Sequence, residues 1–267
     1  MASRPKKQVR KRTRQAGGDK IVTAVDRAAR VLSAFADSWD FATLPDVARR
    51  AKLSKPTTFR ILATLAAEGL IFQNEANSTY GLGFLTLRLA DVVLGGIRLR
   101  ESARPSMRRI RDSLNETVVL GILEGDDYCN VDGLEGTHLI GQTQLIGAPV
   151  PLYVGAPGRA LLAGMSDEAV AAYLRRVRPE LLHKAGMTGP KLLREIGHIR
   201  RRGYAISSGD FMHGGHTIAA AIRNGGGAAI ATLHISFPQG RYSNQLEDRC
   251  VEALMKGASR IGDCQPR

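Results

Sequence analysis

The residues of this chain that could do chemistry fall in three places. His213 and His216 stand two glycines apart, with His234 further along. Paired imidazoles are metal ligands, but a zinc site needs three or four ligands at set spacing. Here glycines separate the pair, which reads as a loop, and no Asp, Glu or Cys stands at ligand spacing. Ser207, Ser208 and Asp210 hold the groups of a hydrolase but lack the G-x-S-x-G turn that exposes a nucleophile. No catalytic residue, metal ligand or cofactor is therefore expected. The third place is different in kind. Ser54, Lys55, Thr57, Thr58 and Arg60 put hydroxyls and cations together over seven residues. Such side chains at the start of a helix reach base edges and phosphates, and the helix N-terminus itself favours a phosphate.

Charge points the same way. The chain has 267 residues and a net charge of +13, which favours a polyanionic partner. Arg4, Lys6, Lys7, Arg10, Lys11, Arg12 and Arg14 precede the first acid, Asp19. This stretch reads as a disordered basic arm over residues 1–19, with Arg10 and Arg12 placed to meet phosphates or a minor groove. It lacks the apolar core of a signal peptide. No run of about 18 apolar residues is present, so no membrane span is expected. Cys129, Cys250 and Cys264 form neither a disulfide framework nor a zinc cluster, and a reducing cytoplasm fits them best.

The elements that must position these groups follow from hydrophobic spacing. Apolar residues at helical period predict a helix over 21–36, and 37–41 reads as a loop. A short helix over 44–51 has Thr43 as its cap and Asp46 three residues on. Leu53 ends it. Ser54 caps a third helix with Pro56 in its first turn, and Gly69 closes it. On that helix Lys55, Thr57, Thr58 and Arg60 are expected outside, and Phe59, Leu62 and Leu65 inside with Val47, Leu32 and Phe35. Residues 70–72 and 79–82 form a hairpin. Helix, helix, turn, helix, hairpin is the order of a winged helix-turn-helix, placed at residues 20–83. A Leu- and Val-rich linker helix follows at 84–103, able to pack against a second subunit. Another amphipathic helix is expected to start at Pro105.

From 104 to 262 the pattern changes to short strands and helices. Strands are expected at 117–123, 127–131, 139–143, 149–152, 204–207, 217–223 and 228–237, with Gly225 to Gly227 as a hairpin turn. Helices are expected at 158–165, 167–177 with Ser166 as cap, 191–202 and 246–261. The fold class is α+β: a DNA-binding domain joined by the linker helix to an α/β sensor domain.

Seven segments, in order and at the right spacing, resemble the IclR family of bacterial transcriptional regulators. They are VDRAARVLSAF at 25–35, LPDVARRAKLSKPTTFRILATLAAEGLI at 44–71, YGLG at 80–83, LRESARPSMRRIRDSLNETV at 99–118, PVPLYVGAPGRALLAGM at 149–165, RRGYAISSGDFMHGGHTIAAAI at 201–222 and ATLHISFP at 231–238. The resemblance covers roughly residues 20 to 258 and implies a GAF-like sensor domain. It implies a homodimer or dimer of dimers on double-stranded DNA at a palindromic operator, and a small organic effector, often a carboxylate, beside the sheet. Carried over by position, the effector-binding residues are Tyr153, Ala156, Pro157, Ser207, Asp210, Thr217, His234 and Ser236. The chain departs from the family where an acid often stands at Ser207, a cysteine at Thr217, a proline at Ala221, a small residue at His234 and a histidine at Tyr153. Those exchanges make the site less negative. An imidazolium at His234 would suit it to an anion, since charged hydrogen bonds are the stronger ones. The expected function is effector-modulated operator binding. A non-specific basic DNA-binding protein and a metal-dependent enzyme of the second domain are the alternatives.

Overall fold

The computed structural model describes residues 21–36, 41–139, 146–210 and 214–265. Arg10, Arg12 and His213 lie outside these, as does most of the strand expected at 139–143. The chain divides into two compact units, one ending at Gly96 and the other starting at Ile97.

The first unit is built on α1 (Thr23–Ser33), α2 (Leu44–Ala51) and α3 (Lys55–Ala67), with a sheet of β1 (Ala42–Thr43), β2 (Ile71–Asn74) and β3 (Thr79–Leu82) in the order β1-β3-β2. Strand β1 has two residues, which hydrophobic alternation cannot register. Val31, Phe35, Val47, Leu62, Leu65, Ile71 and Tyr80 close the core. Both caps form as the sequence predicts. Thr43 Oγ1 accepts from the Asp46 N–H, and Ser54 Oγ accepts from the Thr57 N–H at 3.3 Å. The turn between α2 and α3 is tight because Lys52 adopts a left-handed φ of 57°. The Arg30 guanidinium holds that turn through the carbonyls of Ala51 and Lys52.

The linker stretch read as one helix over 84–103 is two. Helix α4 (Phe84–Gly95) ends at Gly96, and α5 (Arg98–Leu114) runs straight through Pro105 rather than starting there. Two adjacent glycines, with no side chain to bury and high backbone freedom, break the run. Helix α4 buries none of its residues, although it is Leu- and Val-rich; Phe84 is 86% exposed and Val92 75%.

The second unit is a six-stranded antiparallel sheet of β4 (Thr117–Glu124), β5 (Asp127–Leu134), β6 (Pro149–Pro151), β7 (Ala205–Ser208), β8 (Gly215–Arg223) and β9 (Ala229–Pro238), in the order β6-β5-β4-β9-β8-β7. Residues opposite one another in antiparallel strands share a face. One face is largely apolar: Val118, Leu120, Ile218, Ala220, Ile222, Leu233, Ile235 and Phe237 are all buried. It lies under α5 and α10 (Asn244–Asp263). At Gly257 of α10 an added Cβ would come within 2.7 Å of Ile110 on α5 and 3.2 Å of Leu233 on β9. Over the other face lie α6 (Gly155–Ala163), α7 (Asp167–Arg176) and α9 (Gly189–Arg202), whose Leu161, Leu162, Tyr173, Leu192 and Ile196 share one core with Tyr128, Val150, Ala205 and Ala219 of the sheet. Helix α8 (Pro179–Lys184) has six residues, too short to show a period.

Two arginines that reach buried carboxylates fasten this unit. Arg104 of α5 makes a two-pronged contact with Asp132 of β5, at 2.7 and 3.2 Å. Arg241, in the turn after β9, does the same to the buried carboxylate of Glu116 just before β4, at 2.7 and 2.6 Å.

Candidate functional site

Two places carry the side chains singled out above. The first is α3. Its inner side is Thr58, Leu62 and Leu65, and its outer side includes Lys55, Phe59 and Arg60. Two expectations are corrected here. Thr58 is fully buried, because its hydroxyl donates to the Ser54 carbonyl at 2.9 Å and so enters the core with its hydrogen bond made. Phe59 is outside, 52% exposed. Ser54 and Thr57 are bonded to each other through their hydroxyls, 2.8 Å apart. The side chains of α3 free to extend outward as cations are thus Lys55 and Arg60. The β2–β3 hairpin is a wing without Lys or Arg, so any phosphate it meets is met by neutral donors. Its turn is fixed locally: the Asn74 side-chain carbonyl accepts from the Ala76 N–H, and that of Asn77 from the Thr79 N–H and hydroxyl.

The second place is the face of the six-stranded sheet that looks toward α6. All nine residues of α6 are buried, and Gly155 opens the helix at φ 71°. Gly158 lets it lie close to the preceding segment, since a Cβ there would stand 2.4 Å from the Leu152 carbonyl oxygen. Ala156 and Pro157 lie in the first turn, and the Ala156 N–H donates to Ser207 Oγ on β7 at 3.0 Å. Thr217 on β8 and Ser236 on β9 are opposite residues with hydroxyls 3.0 Å apart. His234 stands opposite Ala219 and Val119. Tyr153 is buried at the entry to α6, where its N–H donates to the Tyr173 hydroxyl at 3.1 Å. The sheet thus brings Ser207, Thr217, His234 and Ser236 onto one surface, with Ala156 of α6 bonded to it through Ser207.

The charge on that surface differs from expectation. Burial pushes the His234 imidazole down to about 3, so it is neutral at physiological pH. The cation is Arg159 on α6, a residue the sequence reading passed over. It is buried, its Nε donates to the Gly155 carbonyl at 3.0 Å, and its Nη2 pairs with the Asp210 carboxylate. A lone arginine in the small, apolar stretch GAPGRALLAG was the available signal. Burial also drives the phenol of Tyr128 upward, keeping it protonated; nearby Arg159 pulls the other way but does not win.

Two more residues, Asn130 and Thr232, were missed because strand pairing alone assembles them. Asn130 on β5 and Thr232 on β9 flank Gly121 of β4. A Cβ at Gly121 would lie 2.9 Å from Thr232 Cγ2 and 3.3 Å from Asn130 Oδ1. Asn130 Oδ1, Thr232 Oγ1 and His234 Nδ1 are buried and take no hydrogen bond from any described group. Each such atom in a sealed core costs about 1–3 kcal/mol. Among the described residues no three His, Cys, Asp or Glu side chains come together as a metal site. No helix among them is long and apolar enough to cross a membrane.

Comparison with known proteins covers both units. Residues 24–75 match the family profile described as the IclR helix-turn-helix domain. Residues 92–263 match the one described as the C-terminal domain of the bacterial transcriptional regulator IclR. The HTH-type transcriptional regulator BhcR of Paracoccus denitrificans is 30% identical over 95% of this chain and 94% of its own length. A solved transcriptional regulator of Rhodococcus sp. RHA1 superposes with a TM-score of 0.75 at 28% identity, covering 91% of this chain and 97% of that one. An IclR homolog of Microbacterium hydrocarbonoxydans, solved in complex with 4-hydroxybenzoate, superposes at 0.71 with 26% identity, covering 90% and 97%.

Proposed function

The chain belongs to the IclR family of bacterial transcriptional regulators, and from that premise we propose how its two units act. It is a DNA-binding regulator with a helix-turn-helix domain and an effector-binding domain. Helix α3 enters the major groove of a half-site, where Lys55 and Arg60 reach base edges and phosphates. The basic arm, with Arg10 and Arg12, adds salt-dependent affinity. A second copy of the chain binds the other half-site of a palindromic operator. The apolar surface of α4 supports this, because a helix apolar on most sides is normally covered.

The effector is a small organic carboxylate seated between α6 and the sheet. Its anionic end is drawn to Arg159, in competition with Asp210, and its remaining polar groups meet Asn130, Thr232 and His234. The observation that carries this reading is the set of three buried, unpartnered polar atoms facing a helix that holds a buried arginine. Binding alters operator affinity only to the extent that the carboxylate favours one arrangement of the dimer over another.

Arg60→Ala is expected to weaken selective binding by roughly 5- to 100-fold while leaving the thermal midpoint unchanged, because Arg60 is exposed and lends no side chain to the core. The check is a titration against a DNA fragment from upstream of the chain's own gene and a scrambled control, at two salt concentrations. Equal binding of the variant and the parent would remove α3 from the interface.

The effector reading is tested by thermal unfolding in the presence of 4-hydroxybenzoate, other small carboxylates and their neutral amides. A carboxylate at 100 times its dissociation constant stabilises by about 2.7 kcal/mol. Thr232→Val, which keeps the side chain's shape, is expected to reduce the response, and Arg159→Met to abolish it. A midpoint that no carboxylate moves, or that moves equally with the amides, would sink the carboxylate assignment.

A further inference from the structure

An exposed phenylalanine on a helix meant for DNA has a narrow choice of partners. Phe59 sits on the outer side of α3, four residues after Lys55 and next to Arg60, with Pro56 and Ala63 one turn away on either side. Half of its surface is exposed. Phe84 is also exposed but lies on α4, outside the helix-turn-helix, and two further exposed rings of this unit differ from Phe59. Phe41 and Phe72 meet edge to face, 5.5 Å apart, over the bare backbone of Gly81. Phe59 meets no ring among the described residues.

Its flanking cations draw the same surface onto a polyanion. A phenyl ring has no donor or acceptor, so it cannot read the hydrogen-bonding edges of bases or hold a phosphate. The apolar group that unmodified DNA presents in the major groove is the 5-methyl of thymine. We propose that Phe59 packs on a thymine methyl in each half-site and sets the sequence preference at that base pair. This rests on α3 being the helix that enters the groove.

The test uses the full chain and DNA enriched from a random-sequence pool by that chain. Each thymine of the enriched site is then replaced, one position at a time, by deoxyuridine, which lacks only the methyl. One thymine in each half-site is expected to be sensitive, with affinity falling about fourfold for one methyl and about fifteenfold for both. Phe59→Ala is expected to bind thymine and uracil alike at that position, and Phe59→Leu to keep part of the difference. Its exposure means that Phe59→Ala melts with the parent, which separates a lost contact from a lost fold. Tolerance of deoxyuridine at every position overturns the proposal, as does a sensitive position that Phe59→Ala leaves unchanged. A pool with no enriched sequence removes the DNA-reading helix itself, and the proposal with it. Retained enrichment without methyl sensitivity removes only Phe59.

Discussion

Replacing Arg241 with methionine is expected to lower the unfolding free energy of the sensor unit by about 3 kcal/mol, because it strands a buried carboxylate. Glu116 is only 2% exposed, and both of its oxygens accept from the Arg241 guanidinium. The His138 imidazole is 3.8 Å away and itself over a third exposed. It therefore offers little compensation once Arg241 is gone. The pair joins residues at opposite ends of the sensor sequence, one leading into β4 and one following β9, and those two strands are neighbours in the sheet. Glu116→Gln with Arg241→Met is expected to recover part of the loss, since the charge that had been left unpaired is then gone. Urea denaturation of the four members of this cycle checks it. A single-variant loss below about 1 kcal/mol would mean that the carboxylate finds water or another partner when the arginine is removed.

The second large effect is in acid. His234 is held neutral, with its folded value near 3 against 6.5 for the free side chain. The unfolded chain therefore binds a proton through that interval and the folded chain does not. Stability is complete above about pH 6.5 and falls as the pH drops toward 3. The His234 contribution amounts to about 2 kcal/mol at pH 5 and about 3 kcal/mol at pH 4. His216 acts with the same sign, since burial also pushes it down, although Glu247 pulls the other way. Carboxylates titrate in the same range, so the quantity to measure is the difference between the parent and His234→Leu at each pH. That difference is expected to shift in favour of the leucine variant by about 2 kcal/mol between pH 7 and 5. A constant difference would mean that His234 is charged or wet in the folded state.

The sequence made some features legible and hid others for identifiable reasons. The caps of α2, α3 and α7 are local, written in Thr43, Ser54 and Ser166 and their neighbours three residues on, and the structure forms all three. The rotation of α3 is not local. Hydrophobicity turned Phe59 inward and Thr58 outward, and the fold reverses them because a threonine that bonds its own helix can be buried. The break at Gly96 was obscured by the strong Leu and Val pattern on both sides. In the sensor unit, residue type alone suggested charge at His234, whereas burial settles the matter. The pairing of Asn130 and Thr232 across Gly121 depends on register between strands distant in the chain. By contrast, Arg159 was readable as a charge inside an apolar run.

One feature of the first unit reaches beyond any single site. An isolated helix of the length of α4 is marginal in water, and this one gains little from its own unit, since none of its residues is buried. If a second copy covers it, as proposed, the helix and the pairing form together. The amount of regulator in the cell then becomes a signal in its own right: halving it more than halves the paired form, and occupancy of the operator responds more steeply than the supply of chain.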